Sequence, residues 1–327
     1  YDSAERYPPP KCHPETRKSV IVDIFAWINK TPGSSRVLWI NGPVGVGKTA
    51  LAQTICERLQ KNGLLGGAFF FPPRTQMSDT SRYLFPTIAY QLAIFLPEVA
   101  AQIDKTVAGD PAILDKSIDV LFKRLIVDPL TMIYRPELPI VVVIDALDEC
   151  EGEKVQCDIL RLLSSATLGS SQNIRFIITS RPEPWIRDKF HSRLLFPNAD
   201  QISLEQSLEA NEDIRTVFLD GFKSILNSPT HTQAMRNVPQ PWPADRILDD
   251  LVESASGQFL YPATVLKFVD DPNHRPTDRL DAISKIPTTE TPTPNPLASL
   301  DELYFQILST CANKKLTLTV LGTVMAM

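Results

Sequence analysis

Gly42-Pro-Val-Gly-Val-Gly-Lys-Thr49 decides how this chain is read, because it completes the spacing G-x-x-x-x-G-K-[ST]. An apolar run, Val37-Leu-Trp-Ile40, precedes it, and a helical stretch starting near Lys48 follows. Three glycines let a backbone wrap a polyphosphate with its N–H groups turned inward, at angles side chains would forbid. The N-terminus of the next helix adds its dipole. On this reading Gly42, Pro43, Val44, Gly45, Val46, Gly47, Lys48, Thr49 and Ala50 surround the phosphates. Lys48 reaches the β and γ phosphates, and the Thr49 hydroxyl ligates Mg²⁺, an ion that otherwise prefers water and phosphate oxygens. The stretch predicts a nucleoside triphosphate as ligand. A chance Gly-rich turn is the competing reading, and the strand before and helix after argue against it.

Ile140-Val-Val-Val-Ile144 is a continuous β-branched run, as a strand covered on both faces of a parallel sheet requires, and it ends in Asp145-Ala-Leu-Asp148-Glu149. A carboxylate at that end of a strand sits at the ligand edge of an open α/β sheet. Asp145 is therefore the expected magnesium residue beside Thr49. Asp148 and Glu149 are both candidates to orient or deprotonate an attacking water, and the sequence does not choose between them. Alone, such an acidic cluster reads as a solvated loop; its pairing with the phosphate loop gives it weight.

Asn173-Ile-Arg-Phe-Ile-Ile-Thr179 reads as another buried strand and runs into Ser180-Arg181-Pro182-Glu183-Pro184. A guanidinium matches phosphate oxygens in bidentate fashion, so Arg181 is a candidate to report a γ-phosphate. An exposed arginine before a proline-rich turn is the alternative.

Together, residues 39–49, 143–149 and 178–184 resemble the NACHT domains of STAND-type signalling ATPases, most of all the fungal group with a nephrocystin-3-like N-terminal part. Ala4-Glu-Arg6, residues 8–17 and the helix around Ile24 to Trp27 resemble the segment preceding the domain. Ser256-Gly-Gln-Phe-Leu-Tyr261 and Ser299-Leu-Asp-Glu-Leu-Tyr304 resemble its helical and early winged-helix segments. The resemblance implies a switch that is closed with ADP and self-associates with ATP, flanked by effector and repeat sensor domains. It also implies a sensor role for Arg181, and Ala146 and the doubled acid Asp148-Glu149 match its distinguishing marks. The winged-helix histidine of related switches has no counterpart among His13, His191, His231 and His274.

Composition bounds the remaining classes. In 327 residues with 43% hydrophobic content there is room for a full core and a smaller second unit. A net charge of −5 argues against general nucleic-acid binding. No apolar run approaches a membrane span and no signal peptide is evident, so a cytoplasmic protein is expected. The chain begins at Tyr1 and reads as part of a longer one. Five cysteines, Cys12, Cys56, Cys150, Cys157 and Cys311, lack metal spacing and read as reduced thiols.

The expected fold class is a three-layer α/β P-loop NTPase with a parallel sheet, then a small helical domain and the start of a winged helix. The expected divisions are an N-terminal extension and helix at 1–35, the NTPase core at 36–204, the helical domain at 205–275, a Pro/Thr-rich linker at 276–297 and the winged-helix start at 298–327. Strands are expected at 36–41, 67–71, 140–145, 174–179 and 194–203. Residues 1–16 should be extended, and Pro262 should kink a helix or mark its first turn.

Three functions compete. A signalling ATPase whose hydrolysis resets a switch leads. A small-molecule P-loop kinase or motor ATPase follows, although no arginine-rich lid succeeds the core. The third is a scaffold that holds nucleotide without hydrolysing it. ATP is preferred to GTP on resemblance alone.

Overall fold

Ile140–Asp145 is buried along its whole length, which only a strand with neighbours on both edges and layers on both faces allows. The computed structural model describes residues 2–30, 35–73, 80–132, 139–169, 173–192, 194–196, 199–205, 208–285, 297–311 and 313–326. Five strands, β1 (Val37–Asn41), β2 (Leu65–Phe70), β3 (Ile140–Asp145), β4 (Ile174–Ser180) and β5 (Asp200–Ser203), form one parallel sheet in the order β2-β3-β4-β1-β5. Its helices are α1 (Lys18–Ile28), α2 (Lys48–Lys61), α3 (Ser81–Phe95), α4 (Pro97–Gly109), α5 (Ile118–Phe122), α6 (Asp128–Thr131), α7 (Glu153–Gly169) and α8 (Pro184–His191). The α/β parallel-sheet class expected from the sequence is the one observed.

Alternation along each strand separates two cores. Ile140, Val142 and Ile144, with Ile174, Phe176, Ile178, Val37 and Trp39, join one cluster with α3, α7 and α8. The interleaved Leu38, Ile40, Val141, Val143 and Ile177 are equally buried. A buried arginine on β4, Arg175, fixes the end of α1 by donating to the Trp27 carbonyl at 3.0 Å and the Lys30 carbonyl at 2.5 Å. Trp27 lies in the last turn of α1, where its carbonyl also accepts the Lys30 N–H at 3.2 Å.

The described chain divides into two compact units. The first holds the sheet and α1 to α8. The second takes residues His13–Arg17, Val44–Gly47 and Glu205–Met327. Its helices are α9 (Leu208–Leu226), α10 (Thr232–Met235), α11 (Asp245–Ala255), α12 (Leu260–Val269), α13 (Pro276–Ser284), α14 (Ala298–Ser309) and α15 (Lys314–Ala326). Phe218, Phe222, Leu248, Leu251, Val265 and Leu303 are among its core residues.

β5 begins at Asp200, not 194: the apolar Leu195-Phe196 stretch turns, and Phe196 stacks on Phe190 at 5.0 Å. Residues 276–284, read as the start of a linker, form α13, because Leu280 and Ile283 are spaced to bury on one face and Pro276 suits a first turn. The Pro/Thr-rich part, 286–296, lies outside the described residues. Ala4–Arg6 is a short 3₁₀ turn within the segment expected to be extended. Pro262 does sit in the first turn of α12. The five cysteines are free, and burial pushes the Cys56 thiol up to about 12. No helix among the described residues is long and apolar enough to cross a membrane.

Candidate functional site

The carboxyl ends of β3, β4 and β1 lie side by side, and the strand order reverses beside β1, between β4 and β5. That edge is where open α/β sheets place ligands. After β1 the chain turns through Gly45 at φ 83° and Gly47 at φ 88°, angles reserved for residues without a Cβ. Lys48 then opens α2, and its ammonium donates to the carbonyls of Gly42 at 2.6 Å and Pro43 at 2.8 Å. Burial lowers its pKa, opposed chiefly by the nearby Asp148. Ala50 lies in the first turn of α2, where its carbonyl accepts the Thr54 hydroxyl at 2.9 Å.

Asp145 closes β3 with 1% of its surface exposed. Thr179 of β4 donates its hydroxyl to Asp145 Oδ1 at 2.6 Å and accepts the Ala146 N–H at 2.9 Å. Ala146 is left-handed, at φ 57° and ψ 48°. Burial pushes the Asp145 carboxyl up, against hydrogen bonds from Thr179 and Thr49 and the charges of Arg6 and Lys48, which pull it down. Desolvation wins over the bonds, so this carboxylate is poorly compensated by protein groups alone.

Leu147–Glu149 forms a 3₁₀ turn that carries both acids. Asp148 is 6% exposed and accepts the Arg181 backbone N–H at 2.9 Å and its Nε at 3.1 Å. Glu149 Oε1 accepts Arg181 Nη2 at 2.8 Å. One guanidinium thus bridges both acids. The turn is held from beneath by Gln156 of α7, which is fully buried. Its amide donates to the Asp148 carbonyl at 3.2 Å and the Cys150 carbonyl at 2.6 Å, and accepts Trp185 Nε1 at 2.7 Å. Trp185 belongs to α8, which follows Arg181, so the two loops share one hydrogen-bond network centred on Gln156.

Of the residues singled out from the sequence, Lys48, Thr49, Asp145, Asp148, Glu149 and Arg181 are gathered at this edge. Thr179, Gln156 and Trp185 went unassigned. A hydroxyl at the end of the strand neighbouring Asp145 was a usable signal for Thr179. Gln156 gave none, being one polar position on a helix whose partners are backbone carbonyls. The hard oxygens of Thr49 and Asp145 suit Mg²⁺, which takes one or two protein oxygens and completes its shell with water and phosphate.

The family profile described as Nephrocystin 3, N-terminal, matches residues 22–181, a span that contains the phosphate loop, both acids and Arg181. Residues 22–181 are thus similar to that family. Vegetative incompatibility protein HET-E-1 of Podospora anserina is 27% identical over 284 residues, covering 84% of this chain and 19% of its own. The chain thus spans about a fifth of that relative. Both findings agree with the NACHT-type, nephrocystin-3-like fungal NTPase resemblance. Among solved structures, the Drosophila ORC bound to DNA aligns at a TM-score of 0.50 and 12% identity, covering 94% of this chain and 84% of that one. The ORC2 protein of Aeropyrum pernix in its ADP form aligns at 0.47 and 14%, covering 94% and 72%. The ORC alignment supports the P-loop NTPase fold and nothing finer.

Proposed function

We propose that this chain is the nucleotide-binding part of a signalling switch, which binds Mg-ATP or ADP, hydrolyses ATP slowly and couples nucleotide state to conformation. One observation carries the reading: Arg181 bridges Asp148 and Glu149 at the edge that also bears Lys48, Thr49 and Asp145. A γ-phosphate offers the same guanidinium fork a competing pair of oxygens. ATP and ADP would then leave Arg181 with different partners, and a difference in contacts is what any ligand-driven switch needs. The nearly buried Asp148 holds Arg181 through its backbone as well as its side chain, so we assign it to positioning. Glu149 is the more exposed acid and is assigned to the attacking water. Mg²⁺, held by Thr49 and Asp145, supplies charge neutralisation at the β and γ oxygens. In the complete protein we expect self-association with ATP, flanking effector and sensor domains, a cytoplasmic setting and no nucleic-acid partner, the last on the net charge of −5.

The test is thermal unfolding with and without Mg-ATP, ADP and GTP, beside Lys48→Ala, followed by phosphate release from wild type and Glu149→Gln. Ligand at a hundred times its dissociation constant adds about 2.7 kcal/mol, or several degrees at this chain size. Adenine nucleotides should raise the wild-type midpoint and leave Lys48→Ala unmoved. Equal shifts in both proteins would sink the phosphate-loop assignment. Unchanged turnover in Glu149→Gln would remove the acid from the chemistry.

A further inference from the structure

Arg17 is the least ordinary residue outside the assigned site. It is 7% exposed, yet its backbone is left-handed at φ 56°, a conformation costly for a side chain of its kind. Such geometry persists only where surroundings over-determine it. Here its N–H donates to Asp213 Oδ2 at 2.9 Å, and its guanidinium lies over the Phe259 ring at 4.7 Å. The same guanidinium donates through Nη2 to the carbonyl of Val46 at 3.1 Å. All four residues belong to the second unit.

Val46 C=O and Gly47 N–H share one planar trans peptide and therefore point to opposite sides. A donor that grips the carbonyl fixes where the N–H looks. The preceding peptide is treated alike: the Leu260 N–H donates to the Gly45 carbonyl at 3.0 Å, which sets the direction of the Val46 N–H. Successive N–H groups aimed to one side are what an anion-binding loop requires.

We propose that Arg17 is a positioning residue for the phosphate loop, gripping the Val46 carbonyl from behind so that the Gly47 N–H is presented to a nucleotide's phosphates before they arrive. It rests on the phosphate-loop reading above and deepens it. The fork, the stacking and the permanent charge of a guanidinium explain why arginine stands there.

The experiment titrates wild type, Arg17→Ala, Arg17→Lys and Lys48→Ala with ADP and with inorganic pyrophosphate, and records each unliganded melting temperature. Pyrophosphate has neither base nor ribose. Arg17→Ala should weaken both ligands by the same factor, about tenfold or more, as expected for loss of a charge-assisted hydrogen bond. Arg17→Lys keeps the charge without the fork, so it should fall between, and it carries the comparison if the alanine variant does not fold. A loss for ADP with pyrophosphate unchanged would overturn the proposal, because Arg17 would then act on base or ribose. A lower melting temperature with wild-type affinities would overturn it too, leaving a purely structural residue. If Lys48→Ala loses binding while both Arg17 variants keep it, the loop reading stands and this proposal alone falls. If wild type binds neither ligand, both fall together.

Discussion

The phosphate loop and the acidic loop leave the ends of buried strands in one sheet, and both pass through left-handed backbone, by different means. The first uses Gly45 and Gly47, at φ 83° and 88°, where a Cβ is excluded by conformation. The second uses Ala146 at φ 57°, an alanine held there by a hydroxyl on its N–H and a buried glutamine under the following turn. One loop reaches its left-handed angles through what its own residues lack, with Arg17 and Leu260 holding two of its carbonyls, the other through side chains from β4 and α7. Backbone freedom is a local property, whereas this bracing depends on Gln156, 8 positions from Asp148, and Thr179, 33 positions from Ala146, so the two should fail differently.

The largest expected effect tests the first means. Gly47→Val places a β-branched residue at φ 88°, although the nearest atom to a new Cβ is 3.9 Å away, so the damage is conformational and not a clash. The whole nucleotide-induced stabilisation, about 2.7 kcal/mol at a hundredfold excess over the dissociation constant, should vanish. Strain of about 1–3 kcal/mol should appear in the unliganded protein. Calorimetric titration and melting read the two parts separately. Normal binding by this variant would show that the left-handed glycine is dispensable.

Gln156→Leu tests the second means. It removes the hydrogen bonds that Gln156 makes to the carbonyls of Asp148 and Cys150 and to the indole N–H of Trp185. A loss of about 2–4 kcal/mol is expected from giving up these bonds around a buried side chain, measured by urea unfolding without nucleotide. A change no larger than a surface substitution gives would mean the acidic turn does not need its brace. Thr179→Val is smaller, about 1–2 kcal/mol, since it removes one hydroxyl of similar shape. Thr179→Ser should recover most of it, and failure to do so would assign the loss to packing of the methyl group.

The same contrast explains what could be read from the chain beforehand. Glycines and a lysine at fixed spacing announce the phosphate loop, and the apolar runs announce β1, β3 and β4 nearly to the residue, because both signals are local. Asp145, Asp148, Glu149 and Arg181 were legible as chemistry at strand ends, but the bridge between them was not, since it needs the register that sets β3 beside β4. Gln156 donates to backbone carbonyls, which every residue carries, so no pattern marks it, and Arg17 stands in the segment 8–17 with nothing in the sequence to single out its bond to the Val46 carbonyl. β5 was misjudged because Leu195 and Phe196 are apolar for packing under a turn, and period alone cannot separate that from a strand.

The smallest expected effect is the most discriminating. Ala146→Gly removes the left-handed penalty while widening the freedom of the unfolded chain, and the first should exceed the second by about 0.5–1 kcal/mol, a stabilisation. The Ala146 N–H still reaches Thr179, so the brace itself is untouched. In a Thr179→Val background the gain should shrink, because a turn without its brace relaxes towards angles that alanine tolerates. A double-mutant cycle by urea unfolding reads this coupling directly. Equal gains in both backgrounds would mean that the left-handed turn holds without Thr179, and that Ala146 adopts its angles, as Gly45 and Gly47 do, without that hydroxyl's help.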